Sequence, residues 1–151
     1  MRVYLDVSCL NRPFDDQRQT RIRLESEAVT LIFERFDAGR WRHVSSEMAR
    51  IEISAMADEE RRRRVRALLP GPRDIIKTTP GIVRRATELM DLGLRAADAV
   101  HLAAAERAKA DVLLTCDDRF CRAARRNRAK LKVVVGNPLT WLAEQLDDAD
   151  A

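Results

Sequence analysis

Short apolar runs and longer segments of helical periodicity alternate along the chain. The apolar runs predict short strands at residues 2–7, 40–46, 74–79, 111–115 and 131–136. Between them, apolar residues recur three and four positions apart, which predicts helices at residues 20–39, 46–56, 57–69, 81–93, 95–110, 117–127 and 138–146. Gly39, Pro70 and Gly93 lie where three of these helices are expected to end.

This alternation also predicts the fold class. The runs "VLLT" and "KVVV" are apolar at consecutive positions, which suits strands buried on both faces of a parallel sheet. Because residues 1–146 contain no repeat and no linker, we expect one three-layer α/β/α domain with a central parallel sheet. Residues 147–151, "DDADA", are expected to form a frayed C-terminal tail.

The composition is that of a globular protein. Of the 151 residues, 46% are hydrophobic and 34% are charged, and this length can bury a core without disulfides. No stretch approaches the roughly 20 consecutive apolar residues that a membrane span needs. Asp6 interrupts the N-terminal apolar run, which makes that run a poor signal peptide. We therefore expect a cytoplasmic protein that does not enter a membrane.

The three cysteines, Cys9, Cys116 and Cys121, are odd in number and have no C-x-x-C spacing. A disulfide framework and a zinc site each require regular cysteine spacing, so neither is indicated. We interpret the three side chains as small buried thiols in a reducing compartment.

The net charge is +4, and most of the basic residues are arginine. The planar guanidinium group binds phosphate through two hydrogen bonds, so a polyanionic partner is one explanation of this composition. A general bias toward arginine on ordinary solvated surfaces is the other. Charge alone does not decide between them.

Four acidic residues are predicted to meet at one edge of the sheet. Asp6 ends the first strand and Asp117 follows the fourth. If these strands are neighbours, about 4.8 Å apart, both carboxylates lie at the C-terminal edge, where open parallel sheets form their sites. Asp98 lies near the start of the helix before the fourth strand, and Glu52 lies about two turns into the helix after the second strand.

Each acid also has a simpler explanation. Asp117 or Asp118 could cap the following helix, and Asp98 could interact with the dipole of its own helix. Glu52 could face solvent on an amphipathic helix. Asp6 is harder to explain in this way, because no helix is predicted directly after it.

Glu47 competes with Glu52 for the second acidic position. Five residues turn a helix through about 500°, so the two side chains lie on different faces and only one can reach the site. Glu47 directly follows the expected cap, Ser45 or Ser46, where the helix dipole explains an acid. We therefore choose Glu52.

Two stretches in the second half of the chain resemble motifs of PIN-domain nucleases. "GLRAADAVHLAAA" is similar to a family motif in which Asp98 is the acid. "LLTCDDRF" matches the family's apolar–Thr-x-Asp-x-x-Phe ending, which makes Asp117 the fourth acid and Phe120 a core residue. These two motifs are fairly specific when they occur together.

Two weaker motifs extend the resemblance over the whole chain. "YLDVSCL" has an acid, Asp6, at the end of the first strand and a hydroxyl, Ser8, two residues later. Ser46 precedes Glu52 by six residues, as in the family. Within the family, the chain looks closest to the small bacterial toxin ribonucleases of toxin–antitoxin modules, the VapC type. Val7, where threonine or serine is common, and the stretch "LNRPFDD" depart from the pattern.

The resemblance implies a PIN-like domain that hydrolyses RNA with Mg²⁺ or Mn²⁺ and leaves 5′-phosphate and 3′-hydroxyl ends. Carboxylate oxygens suit these cations, and no histidine–cysteine set selects zinc. Asp118 is expected to cap the helix that follows it. The catalytic and metal-binding residues are expected to be Asp6, Glu52, Asp98 and Asp117.

Further residues receive supporting roles. The hydroxyls of Ser8 and Thr115 could orient the ligands or a bound water. We interpret His101 as a packed, hydrogen-bonded core residue and not as a general base. Arginines in the third and sixth predicted helices, at 57–69 and 117–127, could contact RNA phosphates or simply face solvent. The candidates for RNA contact are Arg61, Arg122, Arg125 and Arg126.

The family resemblance also implies a cognate antitoxin protein and a homodimer, with the helix at 20–37 and "TWLAEQL" as candidate surfaces. The alternative is a catalytically silent PIN-like module that binds RNA or protein. Such a module is expected to have lost at least one acid, and all four are present. A phosphatase of the haloacid-dehalogenase type needs a second aspartate two residues after Asp6, where this chain has Ser8.

Overall fold

A five-stranded parallel sheet lies at the centre of the computed structural model, which describes residues 1–150 and the side chains of residues 1–148. All four strand pairings are parallel, in the order β3-β2-β1-β4-β5. The strands are β1 (Arg2–Leu5), β2 (Arg42–Ser46), β3 (Ile75–Ile76), β4 (Val112–Leu114) and β5 (Val134–Gly136). The predicted three-layer α/β/α fold with a central parallel sheet is confirmed.

The seven predicted helices are present, and one more precedes them. The helices are α1 (Val7–Asn11), α2 (Thr20–Asp37), α3 (Glu47–Ser54), α4 (Glu59–Arg66), α5 (Pro80–Asp91), α6 (Ala96–Arg107), α7 (Asp118–Arg126) and α8 (Pro138–Asp150). Helix α8 continues past the predicted end, and the expected frayed tail at 147–151 includes Ala151, which lies outside the described residues. None of the described helices is both long enough and apolar enough to cross a membrane.

The sheet is buried on both faces because alternate strand residues point to opposite sides. Tyr4 and Leu113 face a core that includes residues of α5, α6 and α7. Val3, Leu5 and Leu114 face a second core built with residues of α1, α2, α3 and α8. The buried alanines of α6 let that helix pack closely against α5 and the sheet. Strands β1 and β4 therefore have an apolar layer on either side. The expectation that "KVVV" is buried on both faces is wrong, because β5 is an edge strand and its Val134 is 51% exposed.

The winding of the sheet reverses beside β1. The chain moves from β1 to β2 and β3 on one side, then crosses to β4 and β5 on the other. Strands β1 and β4 are direct neighbours, and the Asp6 N–H donates to the Leu114 carbonyl at 2.9 Å. The residues after these two strands therefore meet at one edge, in the place where open α/β sheets form their sites.

The three cysteines are free thiols in this fold. Cys9 and Cys116 are buried with their Sγ atoms 3.8 Å apart, and Cys121 is half-buried. Burial raises the pKa of Cys9 well above its usual range, and burial together with Asp118 raises the pKa of Cys121 to about 11. Because the thiolate is the reactive form, the raised pKa values make Cys9 and Cys121 weak nucleophiles at neutral pH.

Candidate active site

Asp6 lies at the end of β1 and begins a helix that the sequence did not reveal. Its Oδ1 accepts a hydrogen bond from the Val7 N–H at 2.9 Å, which makes Asp6 the N-cap of α1. The expectation that no helix follows Asp6 is therefore wrong. Helix α1 has only five residues, which is too short to show a helical period.

Two hydroxyls hold the other oxygen of Asp6. Ser8 Oγ donates to Asp6 Oδ2 at 2.9 Å, and Thr115 Oγ1 donates to the same atom at 2.7 Å. Both residues were selected from the sequence as ligand-orienting donors, and the structure brings both of them against Asp6. The carboxylate is almost fully buried, and these contacts stabilise its charge and fix its orientation.

Asp117 caps the helix after β4. Its Oδ1 accepts from the backbone N–H groups of Arg119 at 2.9 Å and Phe120 at 3.3 Å. The prediction that Asp118 is the cap is therefore wrong. Asp118 is the first residue of α7, and its carboxylate binds the guanidinium of Arg21 at 2.7 and 2.8 Å, which lowers the pKa of Asp118. By sequence either aspartate could cap, and in the structure Asp117 caps while Asp118 pairs with Arg21.

Asp98 lies in the first turn of α6 and is the acid with the least support from hydrogen bonds. Within the described residues, no donor makes a hydrogen bond to its side chain. Burial, followed by the negative charges of Asp6 and Asp117, raises the pKa of Asp98 to about 6. Asp98 is therefore close enough to both of these carboxylates for mutual repulsion to be felt.

Glu52 reaches the same region through a histidine. Its Oε1 makes a hydrogen bond with His101 Nε2, and that nitrogen also lies 3.7 Å from Asp6 Oδ1. Burial alone would lower the pKa of His101. The hydrogen bond to Glu52 and the charges of Asp6, Glu52 and Asp98 outweigh burial and raise it. The contact with Glu52 was missed in the sequence, although His101 lies three residues after Asp98 and thus on the same helix face.

Comparisons with known proteins now identify the family. A PIN domain family model matches residues 3–126. The chain belongs to the PIN domain family. The match confirms the resemblance seen in the four motifs, and it spans all four acids.

A solved structure supports the fold of this PIN domain. The structure is VapBC2 from Rickettsia felis bound to a DNA fragment from their promoter. The match has a TM-score of 0.59 and 16% sequence identity, and it covers 91% of this chain and 98% of that chain. No curated protein matches the sequence.

The candidate RNA-contacting arginines of the PIN domain divide into two groups. Arg61 Nη1 binds Asp15 Oδ1 at 2.8 Å, and its second terminal nitrogen donates to the Phe14 carbonyl. Arg61 therefore ties α4 to the turn that follows α1. Arg122, Arg125 and Arg126 are exposed on α7, the helix that Asp117 caps.

The donor set of the site fits a hard divalent cation. Carboxylate oxygens are the ligands that Mg²⁺ and Mn²⁺ prefer, and four of them approach the ends of β1 and β4. Within the part of the chain that the structure describes, no three acidic, histidine or cysteine side chains surround one common point. Asp6, Glu52 and Asp117 each accept hydrogen bonds from protein donors, which fix the position of their carboxylates.

Proposed function

We propose that this PIN domain is a Mg²⁺- or Mn²⁺-dependent endoribonuclease and the toxin of a toxin–antitoxin module. The observation that carries the proposal is the half-buried position of Asp98 beside Asp6 and Asp117, where burial and then the two negative charges raise its pKa to about 6. Like-charged carboxylates held together in this way are costly without a cation, and they are common at functional sites. The PIN family match supports a nuclease.

The four acids differ in what they would contribute. Asp6 accepts hydrogen bonds from the first N–H of α1 and from two hydroxyls, and Asp117 accepts from the first N–H groups of α7. Each would therefore present a metal ligand from a rigid position. Asp98 and Glu52 would complete the set from α6 and α3. A cation held by them would neutralise negative charge on a phosphate and activate water for in-line attack. No protein nucleophile is needed for such a hydrolysis.

RNA as the substrate is supported by the charge of the surroundings. The chain carries a net charge of +4, and Arg122, Arg125 and Arg126 are exposed on the helix that begins at the site. Arginines in such a position would neutralise substrate phosphates. Arg61 stays a prediction, and it would have to leave Asp15 to reach a phosphate.

We also propose that the protein acts in the cytoplasm, binds an antitoxin protein and forms a homodimer. The structural neighbour is a VapBC2 assembly, which supports an antitoxin partner. Helices α2 and α8 pack together and expose four leucines, which makes their outer surface a candidate interface. These are Leu24, Leu31, Leu139 and Leu146. Light scattering that shows a monomer at all concentrations would contradict the homodimer.

A cleavage assay on single-stranded RNA tests the proposal. The full chain should cleave with added Mg²⁺ or Mn²⁺ and stop when EDTA is in excess. Asp98→Asn should reduce cleavage to near background, because one ligand is lost. Asp91→Asn is the matched control, since Asp91 is exposed at the end of α5. Undiminished cleavage in EDTA, or by Asp98→Asn, would disprove the metal-dependent mechanism.

A further inference from the structure

A hydrogen-bonded chain of side chains runs from the core of the domain to Glu52. The hydroxyl oxygens of Ser46 and Tyr4 lie 2.6 Å apart, and the Tyr4 hydroxyl lies 2.6 Å from His101 Nδ1. His101 Nε2 then contacts Glu52 Oε1. Ser46, Tyr4 and His101 are at most 1% exposed, so solvent does not compete for these contacts.

The donors and acceptors in this chain agree on one direction. Ser46 Oγ caps α3 by accepting from the Ala49 N–H, and its own proton can go to Tyr4. Burial raises the pKa of Tyr4 well above its usual value, so Tyr4 keeps a proton to donate to His101 Nδ1. His101 Nε2 then carries the proton that is donated to Glu52. Every polar atom of the chain is satisfied in this arrangement.

Glu52 needs such support more than Asp6 and Asp117 do. Asp6 and Asp117 are short side chains held by backbone N–H groups at the start of a helix. Glu52 has a longer, more flexible side chain, and among the described residues its hydrogen bond comes from His101 alone. His101 Nε2 is also 3.7 Å from Asp6 Oδ1. The ring therefore lies beside both Glu52 and Asp6 and can set the distance between their carboxylates.

We propose that His101 is a positioning residue, which Tyr4 orients, and that it holds Glu52 in place for divalent-cation binding. This inference rests on the proposed function, because it assumes that Glu52 is a ligand. Residues that orient ligands from behind typically contribute 10–100-fold to metal affinity. The ring would act through Glu52 and need not touch the substrate.

The chain provides its own matched control. It contains two histidines, and both are buried. His43 packs against Phe33 and Phe36, and its Nε2 has no partner among the described residues. A loss of affinity that arises simply from removing a buried imidazole should therefore appear in His43→Leu as well as in His101→Leu.

The experiment measures Mn²⁺ binding to the full-length protein at pH 7.5, using the electron paramagnetic resonance signal of free Mn²⁺. We expect His101→Leu to weaken binding by about 10–100-fold. His101→Gln, whose amide can still donate to Glu52, should recover part of that loss. Tyr4→Phe keeps the ring in place but removes the orienting hydroxyl, so it should weaken binding by a smaller factor. His43→Leu should bind as the wild type does.

Each outcome bears on the inference. Wild-type affinity in a folded His101→Leu protein would overturn it, and thermal melts establish that the variant is folded. If His101→Leu does not fold, Tyr4→Phe decides, and wild-type affinity there would overturn the inference. An equal loss in His43→Leu would also overturn it, because the effect would then be structural. Wild-type protein that binds no Mn²⁺ would contradict the proposed function itself, and the inference with it.

Discussion

The two buried histidines show how surroundings set the charge of a residue. His43 lies between aromatic rings, with the Phe36 ring stacked at 4.7 Å and the Phe33 ring edge-on at 5.5 Å. Burial in this apolar site, opposed only weakly by Asp74, lowers the pKa of His43 to about 4. His101 is fully buried, which would lower its pKa, but its hydrogen bond to Glu52 and the nearby carboxylates raise that pKa instead. Apolar burial thus lowers the pKa of one histidine, and neighbouring carboxylates raise the pKa of the other.

His43 should make the stability of the domain depend on pH. Its pKa of about 4 in the folded protein is below the usual 6.5, so the unfolded chain takes up the proton first as the pH falls. The contribution of His43 to the free energy of unfolding is therefore fully present above about pH 6.5. As the pH falls toward 4, about 3 kcal/mol of it is lost. His43→Leu should lose about 3 kcal/mol less between these limits. Denaturant titrations at several pH values measure the difference.

Comparing the two proteins removes the contribution of other groups. The carboxylates titrate in both the wild type and His43→Leu, so their effects cancel in the difference. Parallel stability profiles for the two proteins would contradict the assignment of His43 as a buried, uncharged group.

The sequence singles out the candidate acids, but it does not predict their local contacts. Asp6, Asp98 and Asp117 stand out because they follow or precede short apolar runs. Asp117 caps α7, whereas Asp118 binds Arg21, which lies almost 100 positions away in the sequence. Likewise, the contact between His101 and Glu52 joins two helices whose relative placement no local pattern specifies.

At the scale of elements, a buried carboxylate connects helix α2 to two distant turns. Glu25 is 1% exposed. Its Oε1 accepts from Arg12 at 2.9 Å, in the turn after α1, and its Oε2 accepts from Asn137 at 2.5 Å, just before α8. Arg21, one turn earlier on α2, lies 3.4 Å from the same Oε2. The unusual stretch "LNRPFDD" is thus anchored to the body of the domain through Arg12.

Removing Glu25 should therefore destabilise the domain strongly. Glu25→Ala removes the buried counter-charge of the Arg12 guanidinium, which is only 20% exposed and keeps Asp15 as its other partner. Breaking a buried ion pair in this way costs about 3–5 kcal/mol. Glu27→Ala, on the exposed side of the same helix, should change stability by less than about 0.5 kcal/mol. Urea denaturation of both variants makes the comparison, and similar small effects would contradict the anchoring role.

The periodic pattern predicted the long elements and gave no sign of this anchor. Helices α2 and α5 follow from apolar residues at helical spacing, and α6 follows from its run of small residues. Glu25 reads as one more polar position on α2, because its partners Arg12 and Asn137 lie 13 and 112 residues away in sequence. Helix α1 was missed because five residues carry too little periodicity, and its cap, Asp6, was taken only as a strand end.

For the whole molecule, the order of the strands determines where the site lies. Because β1 lies between β2 and β4, the chain reverses its winding at β1, and the segments after β1 and β4 meet. This placement was predicted from the assumption that the two strands are neighbours. The same placement brings Asp6, Asp98 and Asp117 together, so the fold of the metal-free protein bears the cost of their repulsion.

A divalent cation should therefore stabilise the domain as a whole. Binding to the folded state alone adds about 2.7 kcal/mol when the cation is at 100 times its Kd. For a domain of this size, that corresponds to a rise in Tm of roughly 5–10 °C. Thermal melts at pH 7.5 in EDTA and in excess Mn²⁺ measure the shift.

Asp98→Asn should change both the Tm in EDTA and the rise in Tm that Mn²⁺ produces. At pH 7.5 the carboxylate of Asp98 is mostly charged, since its pKa is about 6. The amide removes the repulsion from Asp6 and Asp117, so the variant should melt at a higher temperature than the wild type in EDTA. It should also gain less from Mn²⁺, because a ligand is missing. If Asp98 served only the dipole of α6, the variant would instead melt slightly lower in EDTA and respond to Mn²⁺ as the wild type does. That result would remove Asp98 from the site and with it the crowding on which the nuclease proposal rests.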